Sequence, residues 1–252
     1  MNVTLCENHR QQYNYPPARL DITRITSPQR PLFSAWGVDY FSNAASLVGC
    51  PAALAGGALS SVALDAYHGK LLNSPHPDDR AHGVVSAVYW GYYADARGGP
   101  NGYAPTRAEW IAKGNARRAP NTLANVAQCV ANAGTALGRG DLVGAWASVL
   151  PIHGLGPSFI TKVLMFMEPT KCVVLDRVVI KKLQTSRHTR LRGVRQVPGD
   201  YRQWCKICEN GAVSLNLCGS RWVDWDGSPQ CWRSVDVERA VFAYPGDPDD
   251  LF

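Results

Sequence analysis

Charge is scarce in this chain of 252 residues: Asp, Glu, Lys and Arg together make up 18% of it. That excludes a coiled coil or a solvated helical array, which need charged faces along most of their length. No internal repeat and no low-complexity linker is present, which excludes solenoids and tethered modules. No apolar run follows a basic segment between Met1 and Asp21, so no secretory leader is expected there. One uncharged stretch, 40–64, reaches membrane-spanning length, but Gly49, Pro51, Gly56, Gly57, Ser60 and Ser61 interrupt it. It reads as two small-residue helices, or a helix and a loop, inside a globule. What is plentiful is apolar: 46% of the chain, enough to bury a sizeable core and to exclude disorder over most of its length. The expectation is a soluble, cytoplasmic monomer with no membrane contact.

Eight cysteines in such a chain are expected as reduced thiols rather than a disulfide framework. Cys205, Cys208, Cys218 and Cys231 fall late, as one Cys-x-x-Cys and two singletons. A zinc ribbon usually offers two close pairs, each clamping one side of a tetrahedron. Buried, inert thiols are therefore expected, and no metal site.

Positive charge is unevenly spread. Between Asp176 and Lys206 lie nine basic residues: Arg177, Lys181, Lys182, Arg187, Arg190, Arg192, Arg195, Arg202 and Lys206. Only Asp176 and Asp200 oppose them. Gly193 and Pro198 mark part of this run as an exposed loop, and charge so concentrated favours a polyanion such as DNA or RNA. Arg107, Lys113, Arg117 and Arg118 form a second, weaker basic group.

Helical periodicity recurs at 38–48, 52–67, 80–95, 106–116, 121–137, 141–150, 157–167, 176–184, 200–215 and 234–243. Asn121 and Asp141 are placed as N-caps, and 172–175 reads as a short extended segment. The predicted fold is all-α with no substantial sheet. Residues 1–30 read as loosely ordered apart from docking by Tyr13 and Tyr15, and 31–252 as a single helical domain.

The stretch from Asp141 to Leu183 carries the most information. A helix ends at Pro151, Ile152-His153-Gly154-Leu155-Gly156 makes a tight turn, and Pro157 opens a second helix. Two glycines two apart allow a sharp turn and bring backbone N–H groups close to an anion, at the positive end of the second helix. On that helix Phe159, Ile160, Val163, Leu164, Phe166 and Met167 share the predicted core arc, and Ser158, Thr161, Lys162 and Met165 the opposite one. Lys162 follows Ser158 on nearly the same line, so it either faces solvent or a cleft. Asp176 stands 22 residues after Gly154 at the start of another helical segment, as an N-cap or as something more.

This pattern resembles the helix-hairpin-helix DNA glycosylase superfamily. Its signature is a Leu-Pro-Gly-Val-Gly type of hairpin, a helix, a short extended segment and a catalytic Asp. Here the hairpin motif lies at 141–167, and the segment 172–183 carries Asp176. The run Leu175-Asp176-Arg177-Val178-Val179 looks like the Asp-Arg segments of some prokaryotic 8-oxoguanine glycosylases. There is a departure: members that also cut the strand carry a lysine two residues after the second hairpin glycine, and that position is Ser158 here. The family's additional β-domain and the iron–sulfur cysteine spacing of some members are not matched either.

The resemblance implies two helical lobes with the hairpin beside the cleft. It implies a monofunctional glycosylase that flips a base out of double-stranded DNA and hydrolyses its N-glycosidic bond, with Asp176 catalytic. Lys162 is the residue to test for an amine role. His153, Gly154, Leu155, Gly156, Ser158, Arg177, Arg190, Arg192 and Arg195 are the expected DNA contacts. Trp222, Trp225 and Trp232, in a polar, glycine-containing stretch, are the expected base-pocket residues, and 98–103 the expected wedge loop. No metal or organic cofactor is required. By position, the carbonyls of Leu150, Ile152 and Leu155 are candidates to hold a monovalent cation. The base is either an 8-oxoguanine-like lesion or a bulky modified cytosine, such as the glucosylated hydroxymethylcytosine of phage DNA. The alternative is a non-catalytic hairpin protein that only binds DNA.

Overall fold

Apolar spacing at helical period gives ten helices among the residues that the computed structural model describes, which are 1–13, 33–40, 60–93, 103–186 and 194–252. They are α1 Val3–Gln12, α2 Ser61–Leu72, α3 Pro77–Tyr93, α4 Tyr103–Lys113, α5 Leu123–Gly138, α6 Leu142–Val149, α7 Pro157–Met167, α8 Arg177–Thr185, α9 Pro198–Leu217 and α10 Ser234–Ala243. The strands form two antiparallel ribbons: β1 Phe33–Ala35 with β2 Val38–Tyr40, and β3 Trp222–Val223 with β4 Pro229–Gln230. The fold is therefore all-α. No described helix is long and apolar enough to cross a membrane.

Caps and prolines set the boundaries near the site. Asp141 accepts from the Gly144 N–H at 2.8 Å and starts α6, as its spacing predicted. Thr122, not Asn121, caps α5, accepting from the Asn125 N–H at 3.1 Å. Pro157 and Pro198 open α7 and α9, where a missing N–H costs nothing.

Helix α7 differs most from its sequence reading. Every side chain from Phe159 to Met167 is buried, including Thr161, Lys162 and Met165, because α2, α3 and α6 all pack against this helix. A helix enclosed on several sides has no outer face, and its polar side chains must find partners inside.

Two further expectations are corrected. The segment at 38 begins no helix: Trp36 and Gly37 both take positive φ, +49° and +79°, and turn Val38–Tyr40 back onto Phe33–Ala35. Phe33 and Tyr40 stack at 4.7 Å across that ribbon. Nor are residues 1–13 loose, while 14–30 lie outside the described residues. Helix α1 packs on α10, and Tyr13 is buried. Arg10, 1% exposed, donates from Nε to Asp236 Oδ1 at 3.0 Å and from Nη2 to Ser61 Oγ at 2.7 Å. Arg233 and Arg239 bridge Asp65 and Asp236 beside it, so five charged side chains form one buried network. Removing one partner from such a network costs about 3–5 kcal/mol, which ties α1, α2 and α10 together. Residues 41–59, Tyr15 and most of the expected wedge loop lie outside the described residues.

Candidate active site

The turn between α6 and α7 is built around one glycine and braced by one asparagine. Gly154 has φ +100°, which side-chain-bearing residues rarely adopt. Gly156 is different: its φ of −89° is ordinary, and a Cβ there would meet nothing within 4 Å. Asn121, 4% exposed, reaches into the turn, accepting from the His153 N–H at 2.9 Å and donating to the His153 carbonyl at 2.8 Å. Its Nδ2 also donates to the Ile111 carbonyl at 2.6 Å, and Trp36 donates to the Asn121 carbonyl at 2.9 Å. The hairpin is thus clamped to α4 and to the β1–β2 ribbon. Sequence reasoning had read Asn121 as a helix cap.

This bracing decides which N–H groups remain for an anion. Those of His153 and Leu155 are committed, to Asn121 Oδ1 and to the Ile152 carbonyl. Those of Gly154, Gly156 and Ser158 carry no partner among the described residues, at the positive end of α7. Arg117 and Arg118 line a hollow of about 340 Å³ on the outer side of the same turn.

Asp176 is delivered to the site by a buried extended segment, 172–175. The Leu175 N–H donates to Thr161 Oγ1 on α7 at 3.1 Å, and Trp204 Nε1 donates to the Val174 carbonyl at 3.1 Å. Gln196 Nε2 donates both to the Leu175 carbonyl at 2.8 Å and to Ser158 Oγ at 2.7 Å, stitching this segment to the hairpin. Asp176 then divides its two oxygens. Oδ1 accepts from the Val178 and Val179 N–H groups at 3.0 and 3.1 Å and caps α8. Oδ2 lies 3.3 Å from Lys162 Nζ. Lys162 is not solvated on an outer face; it is 5% exposed, with Nζ 5.3 Å from the Phe159 ring centre.

Asp176 and Lys162 open on a cleft of about 810 Å³ that Gly154, Gly156, Ser158 and Arg177 also line. Its aromatic wall is Tyr92, Trp110, Phe159 and Phe242, with Tyr92 stacked on Phe159 at 4.4 Å. The expected pocket tryptophans are elsewhere. Trp222 is fully buried under Arg10, whose guanidinium lies 3.5 Å from its ring centre. Trp232 is buried against Ser220, and Trp225 donates to the Tyr13 carbonyl. Their polar neighbours are turned inward rather than to a wet cleft: Asp224 accepts from Ser61, beside the buried charge network, and Ser220 donates to Glu7. Arg195 is exposed and engaged with Asp200, while Arg190 and Arg192 lie outside the described residues. Cys205 and Cys208 are buried, and burial pushes the Cys205 thiol up to about 12. Cys218 and Cys231 are exposed, contrary to expectation. Among the described residues no three potential ligands cluster for a metal.

With that geometry in view, residues 67–242 match the family model described as "Putative 8-oxoguanine DNA glycosylase OGG-like protein". The chain belongs to this OGG-like glycosylase family. The match spans α2 to α10 almost entire and takes in the hairpin, Lys162 and Asp176. No curated protein and no solved structure matches the chain. Membership makes DNA the partner and base removal the type of reaction.

One carboxyl of this OGG-like chain was not legible beforehand. Glu238, on α10, is 3% exposed, and no hydrogen bond joins its carboxyl to any described residue. Burial, with the Asp176 charge adding to it, pushes its carboxyl up to about 8, while Arg239, Lys162 and Arg10 pull the other way. Across α9, Cys208 also faces it. The unfolded chain releases this proton near 4.5 and the folded chain near 8. The stability it contributes is therefore full below pH 4.5 and is lost as pH rises through 8. Glu238→Gln carries no such proton. Its unfolding free energy, from denaturant titrations, should gain on the parent's between pH 5 and pH 8 by a margin on the order of a few kcal/mol. A margin constant across that range would contradict the assignment.

Proposed function

We propose that the chain flips a damaged or modified base out of double-stranded DNA and hydrolyses its N-glycosidic bond, leaving an abasic site. The observation that carries this reading is the Asp176–Lys162 pair, held at 3.3 Å in a cleft that the hairpin rims. Breaking the bond builds positive charge on the sugar. A carboxylate fixed beside it stabilises that charge and can take a proton from the attacking water. The free N–H groups of Gly154, Gly156 and Ser158 would grip phosphate, helped by Arg177 and the basic run, while the cleft's aromatic wall would hold the extruded base.

Lys162 acts here as the cation that holds Asp176, and not as a nucleophile. A Schiff base with the opened sugar needs Nζ free to attack it, and Lys162 Nζ is turned onto Asp176 Oδ2 at 3.3 Å. The position two residues after Gly156 supplies only the Ser158 hydroxyl, itself engaged by Gln196. The expected product is an intact abasic strand, nicked only after alkali or heat, and borohydride added during turnover should trap no protein–DNA adduct. Trapping that disappears in Lys162→Ala would make Lys162 a nucleophile and contradict the hydrolytic reading. Trapping that survives would point to another amine and contradict it equally.

The family description favours an 8-oxoguanine-like lesion and a repair role. A bulky modified cytosine, such as glucosylated hydroxymethylcytosine of phage DNA, is the second reading, and would make the protein an antiphage defence enzyme. It is supported by a cleft near the top of the roughly 300–1,000 Å³ range that suits ligands much larger than a bare base. The reaction needs no metal or organic cofactor. A monovalent cation would be held by the carbonyls of Leu150, Ile152 and Leu155. Those of Leu150 and Leu155 accept no backbone hydrogen bond among the described residues, which leaves them free for that role. The enzyme would work as a monomer on DNA in the cytoplasm.

A further inference from the structure

Arg107 is a cation with no counterion among the described residues. Its guanidinium carbon lies 4.5 Å from the ring centre of Tyr103, 4.8 Å from that of Trp110 and 4.9 Å from that of Tyr92. No ion pair or hydrogen bond joins its guanidinium to any described residue, and its Nε is buried with no partner among them. Yet the residue lines the same cleft as Asp176, whose carboxylate is already taken by Lys162. A half-buried guanidinium with unused N–H groups is costly unless something completes it.

We propose that Arg107 is the specificity-determining residue of the cleft, and that it donates to a ring carbonyl oxygen of the extruded base. This rests on the glycosylase reading above. Three aromatic rings fix the guanidinium as a planar fork, so its remaining donors point in a set direction rather than sweeping a solvated arc. A planar fork among rings suits the edge of a flat base. Arginine is the side chain most often found on the acceptor edge of guanine, for the same geometric reason. A phosphate is the poorer fit, because its three-dimensional oxygens do not use the stacking wall, and the hairpin already offers unpaired N–H groups for one. Stacking of Tyr92 on Phe159, which in turn lies under Lys162, carries this wall directly from the fork to the catalytic pair. The substrate class is therefore a base with a ring carbonyl, such as an oxo-purine or a modified cytosine, and not a purely amino purine.

The test uses single-turnover release from duplexes carrying 8-oxoguanine, hypoxanthine, glucosylated hydroxymethylcytosine or 3-methyladenine, the last of which has no ring carbonyl. It also uses binding to a duplex carrying tetrahydrofuran, which has the phosphates but no base. Arg107→Met keeps the stem against the rings and removes the donors; Arg107→Lys keeps the charge and removes the fork. On each carbonyl-bearing base that the parent releases, both variants should lose roughly 10- to 100-fold in rate. Both should bind the tetrahydrofuran duplex like the parent, and the parent should leave 3-methyladenine in place. Full activity of Arg107→Met would overturn the proposal, as would full rescue by lysine or parental release of 3-methyladenine. Equal losses in rate and in tetrahydrofuran binding would assign Arg107 to a phosphate and overturn it too. A parent that releases no base from any duplex would instead overturn the glycosylase reading, and this proposal with it.

Discussion

Asp176→Asn is expected to lose base release by roughly 100- to 1,000-fold while keeping the parent's affinity for DNA. The size follows from the role proposed for the carboxylate: it would supply a fixed negative charge where the sugar turns positive, and an amide would supply none. The selectivity follows from its second task. Oδ1 caps α8 by accepting from Val178 and Val179. Asparagine serves as well as aspartate at a helix N-cap, so the variant keeps that helix start. Lys162 loses its counterion, so some Tm is lost. A variant that stays folded at the assay temperature and binds DNA as the parent does, yet releases no base, separates chemistry from folding. Rates like the parent's would remove Asp176 from the mechanism.

The second large effect is expected at the hairpin, as a contrast between its two glycines. Gly154→Ala forces a side chain onto a φ of +100°, at a cost of about 1–3 kcal/mol. Its Cβ also meets Ile111 Cδ1 at 2.9 Å, but that methyl is the flexible end of a side chain, so the backbone bears most of the strain. Relieving it means turning the peptide whose free N–H groups face the anion. Gly154→Ala should therefore lower Tm and weaken binding to an abasic-analogue duplex together. Gly156→Ala has ordinary backbone and an open Cβ position, so Tm should hold. The new methyl would stand where a phosphate approaches, and only binding should fall. If the two variants bind DNA as the parent does, the hairpin is not the phosphate grip.

The parts of the site that sequence made legible are those with local causes. The ends of α6 and α7, the glycine turn and Asp176 at a helix start follow from caps, prolines and spacing within one stretch of chain. What was not legible depends on neighbours far away in sequence. Periodicity gave α7 an outer face because it cannot see α2, α3 and α6 closing around the helix, so Lys162 read as facing either solvent or a cleft. The start of the chain read as loose because its composition is polar; Arg10 is ordered by Asp236, Ser61 and Trp222, far away in sequence. The same network drew in the polar residues around Trp222, which had made that tryptophan look like a pocket residue. Asn121 carried a signal that was misassigned: an asparagine beside Thr122 at a helix start is either cap or brace, and only the hairpin's position decides. Glu238 carries no local signal at all, and Arg107 carries only its place in the weaker basic group, which says nothing of the rings around it.

The central claim is that this chain removes a base and that Asp176 makes it do so. The most direct measurement is a panel of duplexes with different modified bases, incubated with the parent and with Asp176→Asn, and analysed by mass spectrometry for free base. The account predicts release of at least one carbonyl-bearing base by the parent, an intact abasic strand beside it, and no comparable release by the variant. If the parent binds these duplexes tightly and frees no base from any of them, the chain is a hairpin protein that only binds DNA, and the account is wrong.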